Sequence, residues 1–162
     1  MKAPIILSRI ALPYFEEAGG GLIINVASLH GRLASAGATT YSATKFGLRI
    51  FTMALAQELE GTGIRAAVIS PGGVATGFIM DEIDRIDDIV FSQPMSTPEE
   101  VGQAIVDLCG NTVREHTMHL SSRILTTAAY LAPWIGKFLR PMLERKGARI
   151  KARLKAERKH SA

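Results

Sequence analysis

Three side chains in the first third of the sequence, Ser28, Tyr41 and Lys45, are of the types that could pass a proton to and from a substrate oxygen. Tyr41 and Lys45 are four residues apart, a spacing that puts both on one face of a helix, one turn apart. A free phenol, with a pKa of about 10, is a poor acid–base group at neutral pH. An ammonium beside it favours the phenolate and suits the pair to proton exchange nearer neutrality. Ser28 follows the apolar run Leu22-Ile23-Ile24-Asn25-Val26-Ala27. It is therefore expected at the carboxyl end of a strand, where ligands bind in open α/β sheets. A serine hydroxyl donating to the substrate oxygen while a tyrosine exchanges its proton would stabilise an alkoxide as it forms or collapses during hydride transfer.

The elements that must hold these groups follow from periodicity and punctuation. Residues 2–18 read as a helix, with Ile6 and Ile10, Leu7 and Ala11 at helical spacing and Pro13 expected to bend or limit its last turn. Gly19-Gly20-Gly21 ends it, and the run from Leu22 to Ala27 suits a strand buried on both faces. Small residues from Ser28 to Thr40 form a loop, and a long helix is expected from about Tyr41 to Glu60, stopped by Gly61 and Gly63. Ile64 to Ser70 is a second buried strand, closed by Pro71-Gly72-Gly73. Residues 74–96 look irregular and carry an acidic cluster, Asp81, Glu82, Asp84, Asp87 and Asp88. Thr97-Pro98-Glu99-Glu100 is a strong helix start, with a capping Thr, Pro at the first position and acids in the first turn; that helix ends at Gly110. A third, weaker strand is expected over His116–Ser121. Strand–helix alternation with buried strands predicts an α/β fold with a parallel sheet.

Composition bounds the remaining possibilities. The chain has 162 residues, 47% apolar and 21% charged, which suits one folded domain and argues against disorder. A single cysteine, Cys109, cannot form an internal disulfide, so a reducing, cytoplasmic setting is the simplest reading. The longest uncharged run, from Ala66 to Met80, is broken by Pro71-Gly72-Gly73 and is too short to span a bilayer. No signal peptide is expected at the amino terminus. His116, His119 and Cys109 lack a fourth ligand or a helical His pair, so no metal is expected. His30 lies close to Ser28 but has no partner at a recognisable spacing, and reads as a loop residue.

Of 19 basic and 15 acidic residues, ten and two lie from Pro133 onward, so a tail over 133–162 carries +8 and the body −4. Leu131 just before that tail and Trp134, Ile135, Phe138, Leu139, Met142 and Leu143 within it follow helical spacing as an apolar stripe, which Ile150 and Leu154 extend. Pro141 is expected to kink or divide the helix. Two readings stand: a basic amphipathic helix lying on a membrane surface, or a helix packed on the domain or on another subunit. Nucleic acid binding is disfavoured, since aromatic residues do not interleave with the charges.

Three separated segments, Asn25-Val26-Ala27-Ser28, Tyr41-Ser42-Ala43-Thr44-Lys45 and Pro71-Gly72-Gly73-Val74-Ala75-Thr76, together resemble the short-chain dehydrogenase/reductase family. The resemblance covers roughly residues 1–110 and implies a Rossmann-type, doubly wound parallel sheet, here partial, with about three strands, flanking helices and the tail. It implies Ser28, Tyr41 and Lys45 as catalytic, with Tyr41 and Lys45 also binding the cofactor, Lys45 at the nicotinamide ribose, and Pro71, Gly72, Val74 and Thr76 further along an NAD or NADP cofactor. The partner would be a small alcohol or carbonyl substrate. Phe78, Ile79, Met80, Ile83 and Phe91 in the family's substrate-covering segment hint at an apolar one, although the same residues could pack that segment down.

The family's opening Thr-Gly-x-x-x-Gly-x-Gly turn and its Asn-Asn-Ala-Gly segment have no counterpart, so no catalytic asparagine is assigned. The sequence thus looks like the carboxyl-terminal portion of such an enzyme, its first strand left with an open edge. A non-catalytic fragment acting through membrane-surface or protein contacts is the alternative. Residues 2–18 and 41–60 correspond to helices through which family members form homo-oligomers.

Overall fold

The glycines that punctuate the sequence sit where the chain turns. In the computed structural model, which describes residues 1–161, helix α1 (Lys2–Glu17) ends before Gly19 and Gly20, both at positive φ, and strand β1 (Gly21–Val26) begins at once. Ala162 and the side chains of Arg158, Lys159, His160 and Ser161, all part of the expected basic tail, lie outside the described residues. Helix α2 (Thr39–Glu58) is followed by Gly61 and Gly63, again at positive φ, where a residue without Cβ is favoured. Strand β2 (Ile64–Ser70), short helix α3 (Gly77–Met80), helix α4 (Pro98–Cys109) and strand β3 (Glu115–Thr117) come next. Helices α5 (Leu120–Leu131) and α6 (Pro133–Ser161) complete the described chain.

The strands form one parallel sheet in the order β1-β2-β3, with Gly21 opposite Ile64, Val26 opposite Ile69 and Val68 opposite Glu115. This is the expected α/β architecture with three strands. β2 is central and nearly all buried, whereas every residue of β1 keeps some exposure, as the edge position requires. Among the described residues no strand pairs with the far edge of β1, which leaves it open.

Side chains alternate across the sheet. One face presents Ile23, Ile64 and Ala66 to Leu12 and Phe15 of α1 and to Leu55 and Leu59 of α2, making the main apolar cluster. Each large side chain fully buried there contributes about 1.5–3 kcal/mol. On the opposite face Arg65 reaches α4, donating from Nη2 to the carbonyl of Cys109 at 2.9 Å and from Nη1 to that of Asn111. The α4 start carries the expected Thr cap, and Glu100 makes it reciprocal: Thr97 Oγ1 accepts from the Glu100 amide at 3.2 Å, and Glu100 Oε2 accepts from the Thr97 amide at 2.9 Å.

Two expectations need correction after α4. β3 spans only Glu115–Thr117, and the residues beyond His119 are helical, not extended. α5 escapes pattern reading because its polar side faces inward. Ser122 and Thr126 are buried, bonded to Gln93 and to Arg32, while Leu120 and Ile124 face solvent. Likewise α6 runs undivided through Pro141. Pro141 and Lys137 are both exposed, so water can serve the carbonyl that the missing N–H leaves free. Pro13 also lies within α1 without ending it.

The apolar stripe of the tail splits in two. Ile150 and Leu154 pack on Ile79, Ile83 and Phe91, so much of the apolar content of residues 77–92 packs that segment beneath α6. Gly147 makes the approach possible: a Cβ there would collide with the carbonyl oxygen of Asp88. Charge follows the same seam, since Lys151 Nζ donates to the Ile86 carbonyl at 2.6 Å, sits 3.0 Å from Asp88 Oδ1, and Lys155 pairs with Asp84. Acidic cluster and basic tail are thus partners within one chain. Of the rest of the stripe, Leu131, Trp134, Phe138 and Met142 face solvent, while Ile135, Leu139 and Leu143 are partly buried.

Candidate active site

All the sequence-derived site residues lie around the carboxyl ends of β1 and β2. Ser28 follows β1 by two residues in extended backbone, and its Oγ accepts from the His30 amide at 3.2 Å, opening a short 3₁₀ turn over Leu29–Gly31. The turn is held on two sides. The Leu29 amide donates to the Pro71 carbonyl at 2.8 Å, tying it to the segment after β2. On the other side Gly31 lies directly against the α2 backbone, where a Cβ would meet the Lys45 carbonyl oxygen at 2.7 Å. Glycine is thus required for close approach here.

Helix α2 starts two residues earlier than expected, which places Tyr41 in its first turn and Lys45 one turn further on. Lys45 Nζ donates to the Val26 carbonyl at 2.9 Å and lies 5.8 Å from the centroid of the Tyr41 ring. Burial lowers the Lys45 pKa from the usual lysine value, because the ammonium has lost part of its hydration. The Tyr41 ring is half-exposed, and the His30 ring meets it edge-on with centroids 5.6 Å apart. Serine turn, tyrosine and lysine therefore belong to one neighbourhood.

The Pro71–Thr76 segment passes beside the serine turn. Gly72 lies close under Leu29, where an added Cβ would come within 3.1 Å of Leu29 Cδ1. Val74 bridges to Ser96, and Thr76 Oγ1 reaches only the Val74 carbonyl, at 3.4 Å, leaving its hydroxyl weakly engaged. His119 Nε2 lies 3.3 Å from Ser96 Oγ, and Cys109 is exposed at the end of α4.

Sequence reading gave little role to two groups that the structure brings to this site. His30 is one: burial lowers its pKa below the ordinary histidine value, partly offset by the negative charge of Asp87. Asp87 Oδ2 also lies close to Gly37, so the acidic segment reaches the loop that joins Ser28 to Tyr41. Arg32, just past the serine turn, is the other. It is buried, pairs with Glu115 of β3, and donates to Thr126 at 3.3 Å and Thr127 at 3.0 Å. Arg49, one turn beyond Lys45, joins the same carboxylate at 2.5 and 3.0 Å. Burial alone would raise the Glu115 pKa; the two guanidiniums outweigh it and hold the carboxyl below its usual range. The chemical signal for this triad was available in the residue types, but 83 residues separate Arg32 from Glu115. No local pattern pairs them.

A sequence profile of the family described as short chain dehydrogenase matches residues 1–86. The chain is 39% identical over 116 residues to the ketoacyl reductase HetN of Nostoc sp., a match covering 71% of this chain and 39% of that protein. It is 38% identical over 99 residues to the acetoacetyl-CoA reductase of Allochromatium vinosum, covering 59% of this chain and 40% of that one. Among solved structures, 4-hydroxyisoleucine dehydrogenase complexed with NADH aligns with a TM-score of 0.58 and 28% identity, over 72% of this chain and 53% of the other. The chain thus spans about 40% of the length of these curated relatives. The profile match covers more than half of the chain: it belongs to the short-chain dehydrogenase family.

Proposed function

We propose that this chain provides the proton-handling part of a nicotinamide-dependent oxidoreductase that interconverts a carbonyl and an alcohol. The observation that carries this reading is the clustering of the Ser28 turn, Tyr41 and Lys45 at the carboxyl ends of two adjacent parallel strands, with Lys45 5.8 Å from the tyrosine ring. The donor set suits the nicotinamide and ribose part of NAD or NADP. Lys45 offers an ammonium to ribose hydroxyls, and Pro71, Gly72, Val74 and Thr76 offer backbone groups and a weakly engaged hydroxyl on the other side. When bound, the cofactor supplies or accepts hydride.

The chain's own residues do the rest. Ser28 Oγ donates to the substrate oxygen and holds it facing Tyr41. Tyr41 passes its proton to the alkoxide on reduction and takes it back on oxidation. Lys45 keeps positive charge beside the phenolate left behind, so the negative charge is never isolated. Because burial lowers the Lys45 pKa, that support is lost on alkaline titration earlier than for an ordinary lysine. Tyr41, half-exposed, is open to substrate.

As substrate we propose a 3-oxoacyl thioester or the corresponding hydroxy acid derivative, the class in the names of the ketoacyl and acetoacetyl-CoA reductases to which the chain is similar. Exposed Phe78 is the apolar side chain of the covering segment free to meet an acyl chain. The test is oxidation of NADH or NADPH by the protein isolated from its source cells, with acetoacetyl-CoA beside simple ketones and aldehydes. Turnover favouring the thioester supports the reading; a folded protein that reduces no carbonyl with either cofactor contradicts it.

A further inference from the structure

The outer face of the corner between α5 and α6 takes no part in the site or the core. Leu131, Trp134, Phe138 and Met142 stand there 75, 69, 79 and 59% exposed. The last three are four residues apart, so they form one ridge along α6. Large apolar side chains clustered in this way mark a contact surface, not ordinary scattered exposure. The same ridge continues into cations, with Arg145 and Arg149 next along it and Lys137 and Lys146 flanking, all exposed. None of these four makes an ion pair among the described residues. The other tail cations among the described side chains are engaged: Arg140 with Glu144, Arg153 with Glu157, Lys151 and Lys155 with the acidic segment. Sequence and packing therefore divide one helix by face. Its inner side holds the 77–92 segment, and its outer side presents aromatics followed by unpaired cations.

We propose that this outer face rests on an anionic lipid surface, with α6 lying in the plane of the interface. Charge complementarity commits the face to that partner. A second copy laid on the same ridge would bring Arg145 and Arg149 against like charges if parallel and against apolar side chains if antiparallel, in neither case against an acid, whereas phosphate headgroups meet them as counter-ions while Trp134, Phe138 and Met142 enter the acyl boundary. No helix among the described residues is long and apolar enough to cross a membrane, so the contact is with one leaflet. Since α6 is already folded against the body through Gly147, Ile150 and Leu154, binding does not have to order it. The proposal stands independently of the catalytic reading, because no site residue contributes to it.

Trp134 is the one tryptophan of the chain, so its fluorescence reports directly on this face. The full chain is titrated with vesicles of phosphatidylcholine alone and of phosphatidylcholine with phosphatidylglycerol, at low and high salt. The proposal predicts a blue shift of Trp134 and quenching by bromine-labelled acyl chains with the anionic vesicles at low salt, weakened by added salt. Arg145→Gln and Arg149→Gln should each weaken binding about fivefold, and the Phe138→Ala, Met142→Ala double variant should lose the blue shift with unchanged helix content. No response to anionic vesicles at low salt would overturn it, as would equal binding to uncharged vesicles. So would blue, concentration-dependent emission without lipid, which would assign the face to a second copy.

Discussion

At the residue scale the proposed chemistry depends on where three side chains are tethered, and each tether is local. Ser28 caps its own turn, Lys45 is bonded to the last residue of β1, and Tyr41 sits one turn before Lys45. These relations were legible because they depend on short spacings: four residues on a helix, and a serine just past an apolar run. His30 was not, since its environment comes from Tyr41 and from Asp87, distant in sequence. Its lowered pKa has a consequence for stability. The unfolded chain takes up the proton near the ordinary histidine value of 6.5, the folded chain only at lower pH. His30 therefore costs nothing above that value, and its penalty grows as pH falls toward the folded pKa. His30→Gln removes the titration, so its melting temperature should rise relative to the parent between about pH 7.5 and about pH 5. A difference that stays constant, or moves the other way, would show that His30 charges freely in the fold.

At the scale of elements, the tail helix is fixed by its one close approach. Replacing Gly147 by alanine would favour the isolated helix by about 1 kcal/mol. Against that gain stands a collision with the Asp88 backbone, which cannot turn aside as a side chain could. Overpacking of this kind typically costs about 1–3 kcal/mol, and here it would also loosen Ile150, Leu154 and Lys151 from the segment beneath. Gly147→Ala is predicted to lose about 2 kcal/mol in urea unfolding and to expose residues 77–92 to hydrogen exchange. Equal or greater stability would mean that α6 is not seated on this turn. α1, α2, α4 and the first two strands were readable because glycines and a capping box bound them; α3, within the irregular-looking residues 74–96, was not. α5 was not readable, because its inward face is Ser122 and Thr126, held by the buried arginine of the serine turn and by Gln93. There the hydrophobic pattern points away from the core.

At the scale of the whole molecule, the described residues give a three-stranded sheet whose β1 edge is open, with a site at the carboxyl ends of its strands. They include no Thr-Gly-x-x-x-Gly-x-Gly turn between a strand and a following helix, the arrangement that receives a pyrophosphate; the glycines after β2 lead only into the four-residue α3. The 162-residue chain should consequently gain little from the adenine half of the cofactor. Nicotinamide mononucleotide and the whole dinucleotide are expected to bind it within about tenfold of each other, ~1.4 kcal/mol, by calorimetric titration. Dinucleotide binding tighter by about a hundredfold would mean that the chain holds the pyrophosphate by a route not visible in its fold. The exposed apolar side chains of α1, among them Leu7 and Tyr14, mark a second uncovered face beside that open edge. The central claim, however, concerns the tyrosine. Its most direct measurement is the turnover of acetoacetyl-CoA reduction by the natively isolated protein carrying Tyr41→Phe, a change that removes one hydroxyl and leaves the ring against His30. The account predicts a fall in kcat of about 10² to 10⁴ with cofactor affinity retained; a variant that keeps kcat within about tenfold of the parent would contradict it.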